Sequence, residues 1–197
     1  MELHEVRGVV AEFSNAVGVE PPRLVVSRRI KGLNSCYNTL TQRIVVSREV
    51  MSDVATVIRV VIAHEVGHAT QRRQILREVL LCVSVTVALG AGVLVEGVHE
   101  TQGGKISILT SVMLLGVLFA WAALIVWGLE KRALNREFEA DAIAVEMCGH
   151  NSVLAVLRKL KAGSAEITRR ITRMEAEFSL QQAMQALSAR TEEISDA

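Results

Sequence analysis

The chain has 197 residues, half of them hydrophobic yet only 4% aromatic, with a mean hydropathy of +0.33 and a formal net charge of +1. That length suits one domain of ordinary size, and that hydropathy predicts membrane segments. A charge so close to zero excludes the basic field expected of a nucleic-acid-binding protein.

Residues Leu3 to Val17 place Leu3, Val6, Val10, Phe13 and Val17 at three- and four-residue spacing, which predicts a short amphipathic helix. The opening "MELHEVRGVVAEF" lacks a basic segment followed by an apolar run, so no cleaved signal peptide is expected and the chain is read as starting in the cytoplasm. Pro21-Pro22 ends the helix. "RLVVS" (Arg23 to Ser27) and "TQRIVVS" (Thr41 to Ser47) read as strands, with "KGLNSCYN" between them as a loop. A helix capped near Ser52-Asp53 is expected to run through Gln71. The cysteines, Cys36, Cys82 and Cys148, are odd in number and scattered, as small apolar residues of a reducing compartment are.

Two apolar runs follow, Val79 to Val95 and Ile106 to Trp127, of 17 and 22 residues. Both lie in the length range that crosses a bilayer as a helix. Arg72, Arg73 and Arg77 precede the first, and Lys131, Arg132 and Arg136 follow the second. The connection "EGVHETQGGK" carries a single lysine. The positive-inside rule therefore predicts a hairpin with both outer ends in the cytoplasm and Trp127 at that interface. Beyond it, a helix is expected from about Lys131 to Met147, with Gly149 as its C-cap and Asn151-Ser152 capping the next one, "SVLAVLRKLKAG". A last helix carries Ile167, Ile171, Met174 and Phe178 on one stripe. Packing on the domain and joining another subunit are both open to it. The tail "TEEISDA" is acidic.

The chemistry concentrates in "VVIAHEVGHATQRR", Val60 to Arg73. His64 and His68, four apart on a helix, lie about 40° apart around its axis, so both imidazoles can reach one ion. Glu65 points about 100° away, poorly placed as a ligand and well placed to take a proton from water at the ion. Catalytic zinc takes three protein ligands, leaves one position open and lowers the pKa of its water. A chance pair of histidines on a polar helix face is the competing reading, and a third ligand is the test. "NREFEADAIAVEM", Asn135 to Met147, supplies it: Glu137 and Asp141 are four apart and share a face, while Glu139 faces elsewhere. ExxxD after HExxH is the gluzincin arrangement, in which the Glu binds metal and the Asp orients a ligand histidine through its other ring nitrogen.

With these segments in order, the chain resembles the membrane-bound gluzincin metallopeptidases. It is most similar to the YugP-like neutral zinc metallopeptidases and more loosely similar to the HtpX-like proteases. The resemblance covers roughly Asn38 to Gly149: the segment "RIVVSREVMSDVATVIRVVIAHEVGHATQ", two apolar runs, then "REFEADAIA". It implies one zinc per chain at His64, His68 and Glu137, with Glu65 as base. The chain departs from the pattern in two ways. No apolar run precedes the zinc helix, and no His-Pro element follows it, Pro21 and Pro22 being the last prolines. The residue that polarises the scissile carbonyl is therefore unassigned; His150 reads as a loop residue beside a helix cap, Tyr37 is a weaker candidate, and Arg59 reads as an exposed residue of the zinc helix.

The expected fold is mainly α with a small β-sheet. A gluzincin-type catalytic domain (1–74 and 131–190) is interrupted by a transmembrane hairpin (75–130), with a disordered tail at 191–197. The expected function is that of an integral membrane zinc endopeptidase of the bacterial plasma membrane, its catalytic domain cytoplasmic, acting in membrane-protein quality control or processing. Its expected partners are peptide or membrane-protein substrates and the lipid bilayer; the oligomeric state is unassigned. Arg43, Ile44, Val45 and Val46 are read as the edge strand that holds a substrate peptide by β-augmentation. A metal-holding membrane adaptor and a site-2-type intramembrane protease are the rivals. The second needs HExxH inside a span, whereas Asp53 and Arg59 shorten the apolar stretch before His64.

Overall fold

The computed structural model describes the backbone of residues 1–101, 108–160 and 164–195; the side chains at 89, 92–101, 108–115, 118, 126, 129, 130, 186 and 189–195 are outside the description. The described part is mainly helical. It comprises α1 (Leu3–Ala16), β1 (Arg23–Ser27), β2 (Ser35–Asn38), β3 (Arg43–Ser47), α2 (Arg48–Met51), α3 (Ala55–Thr70), α4 (Arg72–Thr101), α5 (Ile108–Cys148), α6 (His150–Leu160) and α7 (Ala165–Ser195). The chain forms two compact units, Met1–Thr70 with Glu137–Ala197, and Gln71–Arg136.

In the first unit the sheet order is β1-β3-β2, with β1 parallel and β2 antiparallel to β3. This corrects two expectations. Part of the segment read as a loop, Ser35–Asn38, is a strand. Its side chains alternate, Ser35 and Tyr37 half-buried and Cys36 and Asn38 exposed, as in a strand covered on one face. Consequently Arg43, Ile44, Val45 and Val46 belong to the central strand, not to an edge, and both sides of β3 are already paired. The β2–β3 hairpin turns where the Asn38 side chain accepts from the backbone of Leu40 and Thr41 (3.1 and 2.9 Å). Gln42 follows with φ 51°, in the left-handed region that such a turn requires.

The helix that carries His64 and His68 starts close to the expected capping pair, Ser52-Asp53. Ser47 accepts from the Val50 N–H and caps the short α2, and α3 begins only after Asp53 has capped Val54. It ends at Thr70, one residue before the expected end. α3 is apolar nearly all round, with Val57, Ile58, Val60, Val61, Ile62, Ala63 and Val66 buried, because the sheet, α1 and α6 surround it. Arg59 is its exception: its guanidinium reaches Glu12 (3.0 Å) and lies over the Phe13 ring, tying α3 to α1. Ile44 and Val46 of β3, Phe13 of α1 and Val153 of α6 complete the core. α7 packs onto this domain through Ile171 and Met174, with Ile167 partly buried and Phe178 stacked on His150 at 4.1 Å. His150 is therefore a packed first residue of α6, preceded by Gly149 at φ 83°.

In the second unit, the helix expected at Lys131 continues one that begins at Ile108. Glu78 of α4 pairs with Arg132 (3.2 Å) and Arg136 (2.8 Å) of α5, and the Gln71 amide donates to the Arg136 carbonyl (2.9 Å). Among the described residues no helix is long and apolar enough to cross a membrane. Five of the 17 side chains of the first expected span, 12 of the 22 of the second and all of their connection lie outside the description.

Candidate metal centre

One turn of α3 presents both histidines on the side that faces α5. Gly67 lies between them, and a Cβ built there would stand 2.8 Å from the Ala140 Cα and 3.1 Å from its carbonyl oxygen. Only a glycine allows this approach, since carbon atoms normally separate by about 3.5–4.0 Å. Ala140 lies between Glu137 and Asp141 on α5, so the close packing delivers both carboxylates to the histidines.

The resulting distances suit a metal. His64 Nε2 and His68 Nε2 are 3.1 Å apart, and the Glu137 carboxylate lies 3.3 Å from each. A tetrahedral zinc with bonds of about 2.0–2.1 Å separates its ligand atoms by about 3.3 Å. These three residues are the group of possible metal ligands found among the described residues. The donor set, two imidazoles and a carboxylate, is one that catalytic zinc accepts. Asp141 is buried, and its Oδ1 lies 2.9 Å from His64 Nδ1, which leaves Nε2 on the side of His68 and Glu137, where it would be available to a metal. Glu139 is exposed and does not join the group.

Electrostatics agree with the geometry. Burial disfavours a charge on His64, but hydrogen bonds to Asp141 and Glu137 and the charge of Asp141 outweigh it and lift its pKa to about 9. Burial likewise opposes ionisation of Glu137 and Asp141. The histidines lower Glu137 and, together with Arg170, His64 lowers Asp141. A site that holds a proton this firmly is one whose carboxylates favour a cation in its place.

Two residues of the site were not singled out in the sequence. Arg170, on α7, donates from Nε (2.7 Å) and Nη2 (2.5 Å) to the two oxygens of Asp141, and its Nη1 lies 2.9 Å from Glu137. Its side chain is nearly buried. With zinc in place, Arg170 and the metal would formally balance Glu65, Glu137 and Asp141. The one available signal was its position beside Ile171 on the apolar stripe, which put it against the domain. Ser35, on β2, donates its hydroxyl to Glu65 Oε1 at 2.5 Å. Glu65 is 3% exposed, and its Oε2 has no hydrogen-bond partner among the described residues. A buried carboxylate oxygen aimed at no protein donor fits a site whose remaining partner is a water or an ion. Tyr37 packs against the core on the same strand.

Residues 2–188 match the family model of peptidase family M48. No curated protein and no solved structure matches the chain. A helix that presents paired histidines, a glutamate delivered from a second helix and a buried carboxylate between them are what a zinc-dependent peptidase needs, and the chain belongs to peptidase family M48.

Proposed function

We propose that this chain is a membrane-integrated zinc endopeptidase with Glu65 as its general base. The observation that carries the reading is the convergence of His64, His68 and Glu137 at 3.1–3.3 Å, with a buried glutamate adjacent in sequence to the first histidine. His64, His68 and Glu137 would hold the ion. Bound there, zinc would supply a Lewis acid and lower the pKa of water at its open position. Glu65 accepts the proton at Oε2 and returns it to the leaving amine. Asp141 holds the His64 ring in orientation, and Arg170 holds Asp141.

The substrate strand is reassigned from β3 to β2, the edge nearest Glu65. Ser47 N–H donates to the Asn34 carbonyl at 3.0 Å. Backbone groups alternate along an antiparallel ladder, so those of Ser35 face away from β3, toward the outer edge of the sheet. A peptide pairing there is held by its main chain, which leaves side-chain selection loose.

The membrane reading rests on the two apolar runs, their arginine and lysine flanks, and the exposure of large apolar side chains on α4 and α5. Leu80, Leu81, Val87, Phe119, Leu124 and Trp127 are all more than half exposed. Lipid is the environment in which so many exposed apolar side chains on two helices are stable. The catalytic domain is read as cytoplasmic, and unfolded segments or membrane proteins near the bilayer as the substrates. α3 is 16 residues long and packs its apolar side chains into a protein core, which disfavours the site-2-type alternative.

Purified full chain in detergent should cleave an unfolded protein such as casein in a chelator-sensitive manner. Glu65→Gln should keep zinc and lose turnover by about 10²–10⁴-fold. Zinc binding without cleavage by the wild type would leave the metal-holding adaptor. Cysteines placed at Gln102 and Ser164 test topology: labelling from outside intact cells is expected at Gln102 only, and labelling at Ser164 would overturn the orientation.

A further inference from the structure

We propose that Ser35 is a positioning residue for the base: its hydroxyl holds Glu65 Oε1 and so fixes which oxygen is left to receive the proton. The inference rests on the peptidase reading above. Ile44 and Val46 of β3 are fully buried, and Ser35 pairs with Val46 across the ladder. Strand side chains alternate between faces, so Ser35 shares the face of Ile44 and Val46, which looks onto α3. That register, and not proximity in sequence, brings its Oγ within 2.5 Å of Glu65 Oε1, thirty residues away.

A carboxylate held by one donor at one oxygen cannot swing freely. Glu65 is buried at 3% exposure, and Oε2 finds no other donor among the described residues. The Ser35 hydroxyl therefore selects Oε2 as the working oxygen. Ser35 also turns its backbone away from β3, toward the outer edge of the sheet. Pairing of a peptide with β2 thus acts on the strand that carries the latch of the base.

The test uses Ser35→Ala and Ser35→Thr in the full chain. Ser35→Ala should bind zinc with wild-type stoichiometry and keep KM, while kcat falls on the order of 10- to 100-fold, as expected when a reacting group is misplaced by a fraction of an ångström to an ångström. Ser35→Thr keeps the hydroxyl and should restore most of kcat. A second readout needs no activity. In chelator-treated protein, Ser35→Ala should lower the urea midpoint when Glu65 is present and leave it unchanged in a Glu65→Ala background. Wild-type kcat in Ser35→Ala, loss of zinc in Ser35→Ala, failure of threonine to restore kcat, or equal midpoint shifts in both backgrounds would each overturn the proposal. An inactive wild-type chain would overturn the peptidase reading and the catalytic role of Ser35 with it. The midpoint cycle separates that failure from an absent Ser35–Glu65 contact.

Discussion

Replacing Gly67 by alanine probes the packing that assembles the metal centre. The new Cβ would meet the Ala140 Cα at 2.8 Å, the Ala140 Cβ at 3.1 Å and its carbonyl oxygen at 3.1 Å. Restoring an ordinary carbon contact of about 3.5–4.0 Å requires the helices to separate by about 0.7–1.2 Å. Overpacking of this kind costs about 1–3 kcal/mol, whereas alanine in a helix gains about 1 kcal/mol over glycine. The two effects partly cancel, so the metal-free protein should lose only about 0–2 kcal/mol. Zinc does not share in that cancellation. Ligand positions must hold to about 0.2 Å, and Glu137 is less than one turn from Ala140, so the separation carries the third ligand out of range. Zinc affinity should fall by at least the roughly 10–100-fold typical of outer-shell losses. The assay is competition against a chromogenic chelator, paired with urea unfolding in EDTA. Gly8→Ala is the control. A Cβ at Gly8 meets nothing within 4 Å, so this variant should gain up to about 1 kcal/mol and bind zinc normally. Adding Ala140→Gly to Gly67→Ala should rescue little, because the backbone contacts at 2.8 and 3.1 Å remain. Wild-type zinc affinity in Gly67→Ala would refute the claim that this glycine sets the position of Glu137.

Arg170→Met removes the fork from Asp141, whose side chain is 6% exposed, and should cost about 3–5 kcal/mol in urea unfolding of the metal-free protein. Arg170→Lys should recover only part of it, since an ammonium cannot bond both oxygens in one plane; a loss under about 1 kcal/mol would show the pair to be idle. Glu137→Gln should weaken zinc sharply, whereas the exposed Glu139→Gln should leave it nearly intact; the reverse ranking in chelator competition would place the wrong face of α5 at the metal. Zinc binding should also release protons. His64, lifted to about 9, is protonated at pH 7.5 in the metal-free chain and must be neutral to bind, so apparent affinity should rise with pH until about 9. Calorimetry in buffers of different ionisation heat reads the released proton, and buffer-independent heats would contradict a protonated His64.

What the sequence determined by itself is local. Residues four apart on a helix share a face whatever surrounds them, so "HEVGH" fixed the pairing of His64 with His68, and "EFEAD" the pairing of Glu137 with Asp141. The same periodicities made α1, β1 and the core of α3 legible, and glycine's freedom at positive φ made the break at Gly149 legible. Pairing between strands is not local. A run such as "RIVVS" states that it is buried but not which neighbours flank it, and "SCYN" reads as a loop because an edge strand tolerates polar residues. Only the assembled sheet made β3 central and β2 an edge strand. Arg170 and Ser35 were hidden for the same reason. Their partners are 29 and 30 residues away and are chosen by which helix and which strand face pack together. The glycine at position 67 stands between these two levels. The sequence shows it within the motif, and only the 2.8 Å approach of Ala140 explains why a side chain there cannot be accommodated.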